Sequence, residues 1–398
     1  MLQAKTSNGE LLVLATLTKS EIARLKEEKQ TFYCPVCNQP VMMKAGSQVI
    51  PHFAHHSNTK CPSNEGGEGM YHSQGKLLLY RWLKSQGLNV SLEPYLPQIH
   101  QRPDLMIHIN GKWIAMEYQC ARISKEEIHL RNEGYRKAGI FPIWLMGANR
   151  LSRQTAIHFR TEQMTLQLMH QFSPYAPVVI YYFCPYTLYL IQLHDLYVVH
   201  TSRSIAKIRT NRLNRLTFKD LFLPYSFSKQ EIFSIWRNEK KHFRLKRREK
   251  AYGSELAWRK WLYEKHTHLE FLPSVIHLPI SSQYRMKTPL WNWQSRICLH
   301  VIDPLPIGAT FTLKTCERLL KQHLLPVSYF PLMKSEANPI QEYLSLLTEL
   351  KVIQPISKTA FVKTNLLEFH THVEAAAAKD QEVMDELIQL QTKRKHES

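Results

Sequence analysis

The clearest pattern in the chain is Arg102-Pro-Asp-Leu-Met-Ile-His-Ile-Asn-Gly-Lys-Trp-Ile-Ala-Met-Glu-Tyr-Gln119. Two apolar, partly β-branched runs flank Asn110-Gly111, and an Asn-Gly pair in this setting predicts a β-hairpin with a two-residue type I′ turn. That turn fixes the register of the two strands and sets Asp104 directly opposite Glu117. The hairpin therefore brings two carboxylates together on neighbouring strands.

This carboxylate pair predicts a metal site. Directly opposed residues have Cβ atoms about 4.5 to 5.5 Å apart, so like charges there destabilise a hairpin unless something neutralises them. A divalent cation does so. Gln119 shares the face of Glu117, and a backbone carbonyl beside it offers a further oxygen ligand, a set that suits Mg²⁺ or Mn²⁺. The alternative is a solvated hairpin that carries two surface acids.

Length and charge favour a multidomain protein that binds a polyanion. The chain has 398 residues, which predicts two or three domains. Lys and Arg number 52 against 33 acids, a net charge of +19 that attracts nucleic acid. Part of the excess is clustered between residues 240 and 250, where Lys246, Arg247 and Arg248 are the candidate DNA contacts. The alternative is a soluble protein that is merely basic.

Cysteine usage and the N-terminal sequence favour a cytoplasmic protein. Seven cysteines, most of them scattered, do not form the framework of a disulfide-rich domain. The first residues lack the pattern of a secretory signal. Gln171 to Leu193 carries no charge, but Pro174, Pro177 and Pro185 interrupt it, so it predicts two buried strands rather than a transmembrane segment.

A small zinc module is predicted near the start of the chain. It opens with a short strand at residues 11–17 and a helix that begins at the capping box Thr18-Lys-Ser-Glu21. A Cys-Pro-Val-Cys knuckle follows, with a histidine and a third cysteine downstream, which are the ligand types of a closed structural Zn²⁺ site. The candidate ligands are Cys34, Cys37, Cys61 and one histidine, either His55 or His52. We favour His55, because the two histidines point to opposite faces of a strand. The alternative is a pair of buried free thiols with surface histidines.

A helix is predicted from about Met70 to Gln86, where Gly87 ends it. Its residues Glu68, His72 and Lys76 follow one another at intervals of four and share one face. Alone, such a polar stripe is a solvated face. Beside a carboxylate pair it supplies a candidate acid, a base and a cation that faces phosphate.

These motifs together resemble the competence protein CoiA family, and the resemblance extends over the whole chain. The residues that carry it are Cys34-Pro-Val-Cys37, His52-Phe-Ala-His55, Glu68 to Lys76, Arg102-Pro-Asp104, Glu117-Tyr-Gln119 and Arg131-Asn-Glu-Gly-Tyr135. The resemblance implies a restriction-endonuclease-like fold of the PD-(D/E)xK superfamily and a role in handling incoming DNA during natural transformation.

The resemblance also implies a set of site residues. Asp104 and Glu117 match the metal-binding acids, whereas Gln119 stands where the superfamily motif has lysine. Some nucleases of the superfamily use Glu-x-Gln, and Lys76 is the candidate for the missing charge. Apart from the resemblance, Arg131 and Tyr135 lie one turn apart on a predicted helix and are, with Arg102, the candidate contacts to the substrate backbone. The alternative is that Arg131 and Tyr135 are solvated or packing residues.

After the hairpin we expect an amphipathic helix at residues 124–138, a buried strand at 140–146 and a helix at 152–171. Beyond residue 228 the chain is helix-rich and basic, with Trp236, Trp258 and Trp261 expected in a core. A helix at 339–350 followed by a hairpin at 351–363 resembles the wing of a winged helix, which serves DNA binding or protein docking. A last helix is expected at 375–391.

The resulting prediction is an α+β protein with three parts. Residues 1–66 form the zinc module, 67–220 a restriction-endonuclease-like domain, and 221–398 a helical, basic C-terminal domain. The predicted function is processing of DNA during competence by Mg²⁺- or Mn²⁺-dependent cleavage, with single-stranded or branched DNA as partner. The competing interpretation is a non-hydrolytic DNA-binding adaptor that assists the loading of recombination proteins. We expect a cytoplasmic location, in association with the DNA-uptake machinery.

Overall fold

The computed structural model describes residues 1–46, 49–57, 59, 61, 69–200, 202–245 and 251–396, with side chains through 393. Glu68, Lys246, Arg247 and Arg248, and the glycine-rich joint at 64–68, lie outside the described residues. Helices and strands are mixed throughout, which confirms the predicted α+β class. Within the described ranges, no helix combines the length and the apolar character that a membrane span needs.

The N-terminal module is a small sheet with one helix. Its strands are β1 (Gln3–Lys5), β2 (Leu11–Val13), β3 (Phe32–Tyr33), β4 (Pro40–Lys44) and β5 (His52–His55), and its helix is α1 (Lys19–Glu27). The strands lie in the order β2-β1-β3-β4-β5. Thr18 and Glu21 form the predicted capping box at the start of α1. The strands are short and the buried core is small, so this module gains little stability from burial alone.

A large mixed sheet forms the centre of the molecule. Its strands are β6 (Asn89–Leu92), β7 (Leu105–Ile109), β8 (Lys112–Gln119), β9 (Ile140–Gly147), β10 (Ser152–Arg153), β11 (His158–Arg160), β12 (Val179–Phe183), β13 (Tyr189–His200) and β14 (Arg203–Arg212). They lie in the order β10-β11-β14-β13-β12-β9-β8-β7-β6. β8, β9 and β12 run parallel, and the strands on either side pair antiparallel. The carboxyl ends of the three parallel strands therefore meet at one edge.

The predicted hairpin is β7 and β8. Both turn residues have positive φ, 48° for Asn110 and 72° for Gly111, as a type I′ turn requires. The last paired residues are Leu105 and Met116, so Asp104 and Glu117 follow opposite each other as predicted. The expected order of strand, strand, helix and strand continues with α3 (Lys125–Lys137) and β9.

Two further helices accompany the central sheet, α2 (Met70–Lys84) before β6 and the short α4 (Gln163–Gln167) after β11. The helix predicted over 152–171 was wrong, because this segment contains the two short strands β10 and β11 and only the short helix α4. Phe159 is buried, whereas His158 and Arg160 on either side are not, a period of two that belongs to a strand. Pairing of β11 with β14, which is distant in sequence, decides the structure of this segment.

The C-terminal region is mainly helical. Its elements are α5 (Lys229–Leu245), α6 (Gly253–Glu264), α7 (Leu290–Ile297), β15 (Thr310–Thr312), α8 (Leu313–Leu319), α9 (Pro339–Glu349), β16 (Ile353–Pro355), β17 (Ala360–Lys363) and α10 (Val373–His396). Trp236 and Trp258 are buried in its core as expected, whereas Trp261 is half-buried. The hairpin expected after α9 is present, and β15 joins it as a third strand. Its role in binding stays a prediction.

Candidate functional site

The candidate site lies where β7 begins and β8 ends. Asp104 directly precedes β7, and its Oδ2 accepts a hydrogen bond of 2.8 Å from the backbone N–H of Tyr118. Its two oxygens also face α2, with Oδ1 3.3 Å from Lys76 Nζ and Oδ2 3.3 Å from His72 Nε2. The predicted stripe on α2 therefore converges on one of the two hairpin acids. Glu68, the first residue of that stripe, lies outside the described part of the chain.

Close packing of α2 on β8 makes this convergence possible. A Cβ atom at Gly75 would lie 2.0 Å from the Tyr118 ring, so only glycine lets the helix approach the strand at this point. Lys76 comes next in the chain and is completely buried. A lysine in such a place needs a compensating charge, because an isolated buried ammonium is very costly.

Glu93 supplies that charge and was missed in the sequence analysis. It follows β6, is 2% exposed, and its carboxylate Oε1 accepts a hydrogen bond from Lys76 Nζ. Its φ of 48° is unusual for a residue with a side chain, and strain of this kind persists where surrounding contacts hold it. In the sequence, the only sign of Glu93 as a site residue was its position directly after a strand in which polar and apolar residues alternate. Nothing local paired it with Lys76, which is 17 residues away.

Glu93 also joins the N-terminal module to the site. The backbone N–H of Leu2 donates to Glu93 Oε2 over 2.8 Å, and Gln3 Nε2 donates to the Glu93 carbonyl oxygen over 3.1 Å. A continuous set of polar contacts therefore runs from β1 through Glu93 and Lys76 to Asp104.

Glu117, the second hairpin acid, is held by α3. Arg131 donates to its Oε1 over 2.6 Å, and the Tyr135 hydroxyl donates to the same oxygen. Arg131 also donates to the Arg102 carbonyl oxygen over 3.3 Å and lies 5.9 Å from the centre of the Trp144 ring. We predicted that Arg131 and Tyr135 contact the substrate backbone. The structure instead directs both towards Glu117, and Tyr135 is fully buried.

The charges of this cluster are nearly balanced by the chain itself. Burial raises the pKa of Asp104, but the Lys76 charge, His72 and the Tyr118 N–H more than reverse this, so its pKa lies well below the ordinary range. Burial raises the pKa of Glu117; Arg131 lowers it and the Asp104 charge raises it again, with a net increase. The repulsion expected between the two acids is thus largely relieved by Lys76 and Arg131.

Gln119 differs from the other predicted site residues. Its side-chain Nε2 donates to the Ala121 carbonyl oxygen over 3.1 Å, so the amide contacts its own chain just beyond β8. Of the predicted site residues on α2 that the structure describes, His72 is the more exposed, with a side chain that is 21% exposed, whereas Lys76 is buried. Among the described residues, Asp104 and Glu117 do not belong to any set of three or more histidine, cysteine or carboxylate side chains close enough together to bind one metal ion.

A second cluster lies in the N-terminal module and can hold a structural metal such as zinc. One ligand atom from each of Cys34, Cys37, His55 and Cys61 lies within 4.8 Å of all the others. Cys34 Sγ is 3.9 Å from Cys61 Sγ, close to the roughly 3.8 Å between two sulfurs bound to one tetrahedral Zn²⁺. Cys37 Sγ is 3.4 Å from His55 Nε2.

The alternative ligand, His52, is elsewhere. Its Nδ1 lies 2.8 Å from the Ile50 carbonyl oxygen, and it is not part of the cluster. Burial raises the pKa of the Cys34 thiol to about 11, a cost that a bound metal removes by holding the thiolate. Burial lowers the pKa of His55 and so favours the neutral imidazole that ligates metals.

Comparison with known proteins identifies the family of the chain. Three family models match it in sequence order: the N-terminal domain of competence protein CoiA at residues 14–64, its nuclease-like domain at 68–226 and its C-terminal domain at 232–377. The competence protein CoiA of Bacillus subtilis strain 168 is 30% identical over 343 residues, which cover 85% of this chain and 91% of that protein.

The chain belongs to the competence protein CoiA family. This confirms the predicted resemblance and supports a role related to competence. The match at residues 68–226 places the hairpin, α2 and α3 in the nuclease-like domain. The predicted boundaries at residues 66 and 220 stay predictions. No solved structure matches the chain significantly.

The buried pair of Glu93 and Lys76 gives a prediction about stability. Breaking a buried ion pair costs about 3 to 5 kcal/mol. Because Lys76 keeps Asp104 as a second partner, we expect Glu93→Gln to cost about 3 kcal/mol, or roughly 6 to 12 °C in the thermal unfolding midpoint. The matched control is Glu133→Gln, which removes an exposed pair with Arg136 and should leave the midpoint close to that of the wild type. Equal midpoints for the two variants would contradict the structural role of Glu93.

Proposed function

We propose that this chain acts on incoming DNA during competence and cleaves phosphodiester bonds with Mg²⁺ or Mn²⁺ held by Asp104 and Glu117. The observation that carries the proposal is the position of Lys76 Nζ, 3.3 Å from Asp104 Oδ1. The superfamily motif expects a lysine at the place of Gln119, and α2 supplies one from another part of the chain. Zn²⁺ in the N-terminal module has a structural role in this proposal.

The residues present fit a hard divalent ion. Two carboxylates from adjacent strands, with backbone carbonyls and water, are the oxygen ligands that Mg²⁺ and Mn²⁺ favour. When bound, the ion lowers the pKa of water and neutralises charge on the scissile phosphate. Lys76 holds Asp104 in position, while Arg131 and Tyr135 hold Glu117. His72, beside Asp104 and partly exposed, is the candidate to accept a proton from the attacking water or to donate one to the leaving oxygen.

One observation favours the second candidate, a DNA-binding adaptor without hydrolysis. Lys76 and Arg131 already neutralise part of the negative charge on Asp104 and Glu117, which lessens the need for an added ion. An adaptor of this kind binds single-stranded DNA and helps recombination proteins to load near the DNA-uptake machinery. The net charge of +19 favours DNA binding and is equally consistent with a nuclease and with an adaptor.

A cleavage assay separates the two candidates. We expect purified protein to cut labelled single-stranded, duplex or branched DNA only when Mg²⁺ or Mn²⁺ is added, with Asp104→Asn as the inactive control of the same shape. Cleavage by Asp104→Asn at the wild-type rate would identify a contaminating nuclease. If the wild type binds DNA but cuts none of the three forms with either metal, the adaptor is the correct function.

A further inference from the structure

The turn between β12 and β13 lies beside the candidate site. β8, β9 and β12 are parallel, Gln119 pairs with Met146, and Phe183 pairs with Gly147 at the ends of these strands. The next residues, 184–188, therefore form a turn at the same edge of the sheet as Glu117. None of the roles assigned above uses this turn.

The turn presents an aromatic ring to solvent. Tyr186 is 65% exposed, yet its ring makes an edge-to-face contact with Tyr71 at 5.1 Å between centroids. Tyr71 in turn stacks with Tyr118 at 6.5 Å, and both hydroxyls donate to the Phe183 carbonyl oxygen. Exposed tyrosines usually move freely, whereas this ring is held by a row of rings that ends at Tyr118, whose backbone N–H donates to Asp104.

Positive charge accompanies the ring. Tyr189, the first residue of β13, is 37% exposed and pairs with Arg212, whose guanidinium lies 5.8 Å from the centre of the Tyr189 ring. Arg122, three residues beyond Gln119, is also exposed, although its guanidinium lies 3.6 Å from the Glu162 carboxylate. Exposed aromatic rings among arginines are the surface that single-stranded nucleic acid binds, because each base has a face that stacks on a ring while cations follow the phosphates.

We propose that an unpaired base of single-stranded DNA stacks on Tyr186, with Arg212 on the adjoining phosphates, and that this contact leads the strand towards Asp104 and Glu117. A duplex does not fit this surface equally well, since its bases already stack on one another. The inference rests on the proposed function, because it names the form of DNA that this edge of the sheet selects.

The test measures binding without cleavage. In buffer without added Mg²⁺ or Mn²⁺, we expect Tyr186→Ala to weaken binding of a fluorescent oligothymidine roughly 5- to 150-fold, and Tyr186→Phe to bind like the wild type. Tyr186→Ala should leave the salt dependence unchanged, whereas Arg212→Ala should lower its slope by about 0.7. An abasic oligomer of the same length should bind equally to wild type and to Tyr186→Ala.

The matched control is Tyr175→Ala, which removes another exposed tyrosine, ahead of the amino end of β12 and so at the opposite edge of the sheet. It should bind oligothymidine like the wild type. Unchanged binding by Tyr186→Ala, or an equal loss for the abasic oligomer, would overturn the inference and leave this face to a protein partner. Binding that depends on Tyr186 without any cleavage would overturn the nuclease proposal alone.

Discussion

Asp104→Asn and Glu117→Gln should each reduce metal-dependent cleavage below about one hundredth of the wild-type rate, and the double variant should lose little more. The reason is that one ion shared by both carboxylates makes them act as a unit, so losing either ligand removes the ion. Even residues that only support metal ligands contribute about 10- to 100-fold, and these two are proposed as ligands themselves. Initial rates with Mn²⁺ measure the effect.

The same variants should change stability in a direction that the hairpin alone does not predict. Two opposed acids repel, so removing one charge was expected to relieve strain. The structure pairs Asp104 with Lys76, and Glu117 with Arg131, in largely buried contacts. Glu117→Gln removes the carboxylate that faces Arg131, at a cost of about 3 to 5 kcal/mol, whereas Lys76 keeps Glu93 after Asp104→Asn, so that variant should cost less. Thermal midpoints in metal-free buffer should fall, and the increase that Mn²⁺ gives the wild type should disappear.

Glu126→Gln is the control for this pair of variants, because Glu126 is an exposed acid at the start of α3. Its cleavage rate and its response to Mn²⁺ should match the wild type. Independent, multiplying losses in the two single variants would argue against a shared ion. A Mn²⁺-induced rise in the midpoint of the double variant would place the metal elsewhere.

The parts of this site that could be predicted are those that depend on local geometry. The Asn110-Gly111 turn fixes the register of β7 and β8 over a few residues, so the opposition of Asp104 and Glu117 followed directly. The face shared by His72 and Lys76 followed from the helical repeat. The capping box of α1 could be predicted because it depends on only the four consecutive residues from Thr18 to Glu21.

The parts that could not be predicted depend on packing between distant segments. Glu93 meets Lys76 only because Gly75 lets α2 approach Tyr118. Arg131 and Tyr135 were assigned to substrate because a helical pattern reveals which residues share a face but not what that face meets. The wrong helix over 152–171 had the same origin, since pairing with β14 outweighed the local preference.

One tightly held zinc per chain is the second prediction with a large expected effect. Structural Zn²⁺ contributes about 10 to 16 kcal/mol to the folding of small modules. The N-terminal module has a small core in which Cys34 is itself fully buried, so we expect it to unfold without the metal. Metal analysis of protein purified without added zinc should give a stoichiometry near one. Cys34→Ser or Cys37→Ser should bring it near zero, and hydrogen exchange should then rise across β1–β5 while β12 and β13 stay protected.

Two control variants make this zinc prediction specific to the cluster. Cys184→Ser removes a half-buried thiol of the central domain and should keep the zinc. His52→Ala should keep it as well, whereas His55→Ala should lose it, because the Nε2 atom of His55 faces Cys37 and His52 contacts the Ile50 carbonyl. Unfolding should also reach the candidate site, since Leu2 in this module donates to Glu93 and Glu93 holds Lys76. A stoichiometry near zero in the wild type would show that the three cysteines of the cluster are free thiols, and zinc retained by Cys37→Ser would place the metal outside this set of ligands.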